Sequence, residues 1–114
     1  MPAVKVYAKK MDARLQEALA EQLLTIIQKD LQVPVADIIF FDVAKIYGVE
    51  QREQCLLEIE GPEKSAEIVE HCGQQLCIVF QKVTGWDCNV SVIYHPNAPQ
   101  HVIDSRGSLA NILN

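Results

Sequence analysis

Two stretches of about twenty residues carry apolar side chains at helical spacing, and each lies between runs that read as strands. In DARLQEALAEQLLTIIQKDLQ (12–32), Leu15, Leu19, Leu23, Ile27 and Leu31 recur every fourth position, and Ala18, Leu24 and Ile26 widen the stripe. Asp12 is placed to cap this helix and Pro34 to stop it. In the second stretch the stripe is Ile68 or Val69, Cys72, Leu76, Val79 or Phe80, and Val83, with Gly85 ending it. Gly61 and Pro62 are expected to open that helix, since proline is tolerated in a first turn.

Strands flank both helices. PAVKVYA (2–8) alternates, with Val4 and Val6 on one face and Lys5 and Tyr7 on the other. IIFFDV (38–43) is almost continuously apolar, as expected of a strand buried on both faces. CLLEIEG (55–61) supplies a third strand and CNVSVIYH (88–95) a fourth, which Pro96 and Pro99 are expected to break. Residues 44–53 read as a polar loop around Gly48.

The order is therefore β-α-β followed by β-α-β, with pseudo-repeat halves at about 2–48 and 53–96 and a C-terminal tail over 97–114. Parallel strands joined by a helix demand a right-handed crossover. Two such units give an α+β domain, a four-stranded mixed sheet with two helices on one face. The opposite face then needs another cover, and a second subunit is the simplest one. At 114 residues the chain fits one domain, 1–114.

A net charge of −5 opposes a nucleic-acid surface. The chain lacks an apolar run of membrane-spanning length, and its N-terminus lacks a long apolar leader-like segment, so a cytoplasmic setting is expected. Cys55, Cys72, Cys77 and Cys88 match no zinc-ligand spacing and are expected to be reduced core thiols, with no metal and no cofactor. The acidic helical faces bearing Glu17, Glu21, Glu67 and Glu70 read as solvated surfaces.

The chemistry turns on Pro2. Proline at the start of a strand costs no ladder bond, which is reason enough for it to stand there. Removal of Met1 would also give it a free secondary amine, which no other residue type provides. A free α-amino group ordinarily titrates near about 7.7–8.0, and an apolar setting disfavours its charged form. The result is a base tuned near neutral pH, able also to attack a carbonyl.

Met-Pro at the N-terminus, the β-α-β-β-α-β order and a sheet needing partners resemble the tautomerase superfamily, which includes 4-oxalocrotonate tautomerase and macrophage migration inhibitory factor. The resemblance covers about residues 2–95 and rests on Pro2, VPVADIIFFDVAKIYG (33–48), EQC (53–55) and VIYHPNAP (92–99). In length the chain is similar to the long members, and it looks most like a long-chain bacterial branch. The resemblance implies a homotrimer and a keto–enol isomerase in which the Pro2 amine is general base and acid on a small carboxylate-bearing substrate. The arginine that short tautomerases carry after the first strand has no counterpart here, Lys9 and Lys10 lying nearest. Their second arginine falls on Ile39, and the lysine of the cytokine-like members falls on Gln32. Candidate binding cations are Lys9, Lys10, Lys45, Arg52 and Arg106, with Tyr47 as an aromatic wall and His95 as a second acid. Two other readings stay open: a non-catalytic small-molecule-binding or structural trimer, and a ferredoxin-like regulatory module with the same element order.

Overall fold

The computed structural model describes residues 2–43, 53–97, 103–104 and 107–108. Strand β1 (Ala3–Ala8) leads to helix α1 (Ala13–Leu31) and strand β2 (Asp37–Asp42). Strand β3 (Glu53–Pro62), helix α2 (Ala66–Thr84) and strand β4 (Cys88–Asn97) repeat that order. A short antiparallel pair follows, β5 (Ile103–Asp104) with β6 (Gly107–Ser108). The main sheet runs β2-β1-β3-β4, parallel within each half and antiparallel where β1 meets β3. The expected α+β architecture is present.

Local chemistry sets the helix ends. Leu15 N donates to Asp12 Oδ1 at 2.8 Å, and Ile68 N donates to Ser65 Oγ at 3.3 Å, so each helix has a side-chain N-cap. Gly85 closes α2 with φ 68°, its N–H donating to Gln81 O at 2.9 Å. A left-handed C-cap of this kind is where glycine costs least.

Every fourth residue of α1 from Leu19 to Leu31 is fully buried, as are Cys72, Leu76 and Phe80 of α2. These pack on Val4, Val6 and Ala8 of β1 and on Cys55, Leu57 and Ile59 of β3. Both helices therefore cover one face of the sheet. Burying each such aliphatic side chain contributes about 1.5–3 kcal/mol.

Three expectations about strands need correction, each for a non-local reason. Pro62 does not open α2; it is the last residue of β3, paired with Asn97, and Ser65 caps the helix instead. The shorter β1 pairs no further along β3 than Glu60, so Pro62 forfeits no bond on that side. Pro96 does not break β4, which runs on to Asn97, because an edge strand tolerates a residue without an N–H. Nor is IIFFDV buried on both faces. Ile38 and Phe40 pack toward the helices, whereas Ile39 and Phe41 stay 39% and 41% exposed on the opposite face of edge strand β2.

Cys55, Cys72 and Cys88 lie in the core outside any disulfide, while Cys77 is only half-buried, its Sγ donating to Val90 O at 3.6 Å. Among the described residues no three His, Cys, Asp or Glu side chains gather as metal ligands, and no helix is long and apolar enough to cross a membrane. Burial pushes the Cys55 and Cys72 thiols up to about 12, and burial, then Cys72, pushes the Tyr94 phenol up to about 12. In the unfolded chain these groups lose protons from about 8.5 and 10. Between those values and 12 the unfolded state binds fewer protons, so stability falls as pH rises. We expect the urea midpoint to be lower at pH 10.5 than at pH 8. An unchanged midpoint would contradict this burial pattern.

Candidate active site

The sheet register gathers one set of termini at one end. Pro2 precedes Ala3, which pairs with Asp37 on one side and Glu60 on the other, and β4 finishes nearby with His95 opposite Glu60. The C-terminus of α1 and the N-terminus of α2 return to this same end, because each helix crosses back to feed or follow a strand there. Pro2 is buried, and its carbonyl accepts from Asp37 N at 3.0 Å. The bond fixes the head of β1 against the head of β2.

Gly61 follows Glu60, the last residue of β3 that pairs with β1, and it is a close approach. A Cβ there would sit 2.7 Å from Tyr94 Oη, 3.3 Å from its Cζ and 3.5 Å from Leu31 Cδ1. The Tyr94 hydroxyl donates to the Pro62 carbonyl, so the ring cannot swing away freely. Gly61→Ala should therefore cost about 1–3 kcal/mol of stability, as overpacking does. Gly61→Ala combined with Tyr94→Phe should recover part of that loss in urea unfolding. Equal destabilisation by the single and the double variant would refute the contact.

The ring of Tyr94 also ends a groove of about 610 Å³ between α2 and β4, lined by Val69, Gly73, Cys77, Ile78 and Val92. It is apolar and opens beside the β4 edge.

The structure separates several candidate residues from Pro2 within one protomer. Lys9 and Lys10 follow the far end of β1, a strand of about 20 Å. Lys9 Nζ lies 3.4 Å from Glu53 Oε2 and 4.4 Å from the centroid of the Trp86 ring, and Lys10 is exposed. His95 stands at the Pro2 end but two strands away, on the open face, with Nε2 3.1 Å from Glu58 Oε2. Tyr47, Arg52 and Arg106, with Lys45, lie outside the described residues.

Sequence reasoning passed over Lys64. It is half-buried in the three-residue turn from β3 to α2, at the Pro2 end. Its signal was available: it is a cation in the first residues after the third strand.

The open face carries a connected polar band between apolar residues. Lys5 Nζ is 3.5 Å from Glu60 Oε1, and the Tyr7 hydroxyl donates to Glu58 Oε1 at 3.2 Å. Tyr7 stacks on Phe41 with centroids 4.9 Å apart. Ile39, Phe41 and Ile93 are the large exposed apolar residues of that face.

No protein-family model matches the sequence, and no curated protein sequence matches it. Solved structures do. MIF2 of Leishmania major superposes with a TM-score of 0.78 at 15% identity, over 95% of this chain and 97% of that one. A fused 4-OT, described as a wild-type symmetric trimer, gives a TM-score of 0.74 at 13% identity over 96% and 98% of the two chains. Pt0534, solved after inactivation by 2-oxo-3-pentynoate, gives 0.72 at 13% identity over 96% and 97%. The chain thus has the fold of the tautomerase superfamily. Identities this low establish the fold and leave the chemistry to be argued from the site.

Proposed function

We propose that this protein is a tautomerase-like isomerase whose Pro2 amine, freed by removal of Met1, moves a proton within a small keto or enol acid. The observation that carries the reading is Pro2 itself, buried at the head of β1 at the end of the sheet where Gly61, Tyr94 and both helix termini converge. With Met1 attached, the nitrogen is a tertiary amide without basicity. Once released, it is a secondary amine in an apolar setting, which favours the neutral, proton-accepting form. That amine takes the proton from the enol hydroxyl to leave an enolate, whose electron pair then collects a proton at carbon. The same ammonium, once formed, can supply the carbon proton, so one group serves as base and then acid. A donor or cation must hold the carboxylate and the charge developing on oxygen.

The fused 4-OT is a symmetric trimer and Pt0534 reacts with a 2-oxo acid, and both facts support the same assembly and substrate class for this chain. A homotrimer would also cover Ile39, Phe41 and Ile93, the large apolar residues left exposed on the open face. The non-catalytic binding trimer is the second reading. It is favoured by Lys9 and Lys10 standing at the far end of β1 from Pro2. Ketonisation of phenylenolpyruvate or 2-hydroxymuconate by Met1-free protein separates the two: acceleration supports the isomerase, and its absence with Pro2 fully protonated at pH 7 supports the binder.

A further inference from the structure

We infer that Lys64 is the residue that binds the substrate carboxylate beside Pro2, an inference that rests on the tautomerase-like reading above. The placement follows from the register. Ala3 pairs with Glu60 across strands about 4.8 Å apart, and Pro2 and Gly61 are the next residues of their chains at that end. Three further residues bring the chain to Lys64, a path of at most about 10 Å, and the lysine stem adds reach toward a ligand seated against Pro2.

The other described cations are committed or remote. Lys5 is paired with Glu60 on the open face. Lys9 is paired with Glu53 at the far end of β1, where Lys10, the first turn of α1 with Arg14 and the last turn of α2 with Lys82 also lie. Lys29 stands at the Pro2 end, but it is exposed on the last turn of α1. Lys64 is half-buried, and among the described residues no carboxylate lies within ion-pair distance of it.

An anion arriving here must contend with Glu60, Glu63 and Glu67, all at the same end of the domain. A lysine not already neutralised by one of them is what makes a carboxylate acceptable. Lysine suits the task as a compact charge with three donors, and its hydrogen bonds to a carboxylate are charge-assisted. The ligand class is a small monocarboxylate whose acidic group sits within a lysine's reach of the reacting carbon.

The test uses binding, so that it does not depend on turnover. Phenylacetate and its neutral analogue phenylacetamide are titrated into Met1-free protein by NMR, alongside the variants Lys64→Gln, Lys64→Arg and Lys29→Gln. Lys64→Gln should weaken phenylacetate about tenfold or more and leave phenylacetamide unchanged. Lys64→Arg should retain most of the acid affinity, and Lys29→Gln should change neither ligand. Equal affinity of wild type for the acid and the amide would overturn the assignment, as would acid affinity that survives in Lys64→Gln. Loss of acid and amide binding together would overturn it too, as a packing effect. Absent proton transfer in a wild-type protein that still binds the acid through Lys64 would instead sink the isomerase reading.

Discussion

Pro2→Ala should lower kcat/KM for ketonisation of phenylenolpyruvate by about 10²–10⁴-fold in protein lacking Met1, the span a positioned acid–base group contributes. The loss should be incomplete. Alanine leaves a primary terminal amine at the head of β1, with its own capacity to accept a proton. Because only the neutral amine accepts one, wild-type kcat/KM should rise with pH through a midpoint below the ordinary α-amino range. Protein that retains Met1 should be inactive, since its Pro2 nitrogen is an amide. Activity equal in the Met1-retaining and Met1-free proteins would remove Pro2 from the chemistry.

The second large effect concerns assembly. Wild-type protein should sediment at three times the 12.8 kDa chain mass. Ile39→Asp with Phe41→Asp should convert it to monomer at micromolar concentration. Both side chains lie on the open face of β2, about 40% exposed in the single chain, so the change should leave the helices and core intact by circular dichroism. In a trimer that covers this face, the substitutions would bury six new carboxylates with no cation introduced to meet them, at several kcal/mol each. A wild-type chain that is already a stable monomer would contradict the trimer and leave the apolar face unexplained.

These two effects draw on parts of the sequence that were unequally legible. The helices could be read directly, because a repeat of Leu19, Leu23, Ile27 and Leu31 has one structural solution and the caps Asp12 and Gly85 are local chemistry. The strand order followed from the helices. The strand ends did not, because Pro62 is tolerated where β1 no longer pairs with β3 and Pro96 because β4 lies at the sheet edge. IIFFDV misled for a related reason. Its second apolar face is turned away from the chain's own helices, and periodicity carries no information about a partner.

In the candidate site, Pro2 stood out by residue type and position. The cations did not sort themselves. Lys9 is held by Glu53 and Trp86, both distant in sequence, and the placement of Lys64 at the Pro2 end of the domain follows only from the antiparallel register of β1 and β3. Tyr94 was legible only as a residue of the fourth strand, and its hydroxyl contact with Pro62 and its closeness to Gly61 are products of packing.

The most direct test of the central claim is a pH titration of the Pro2 nitrogen, followed by ¹⁵N NMR in Met1-free protein carrying labelled proline. The account predicts a midpoint below about 7.7, the lower bound for an ordinary α-amino group, because a buried amine resists protonation. A midpoint at about 8 or above would mean that the amine is charged at neutral pH and cannot serve as the base, and Pro2 would then be no more than the first residue of a strand.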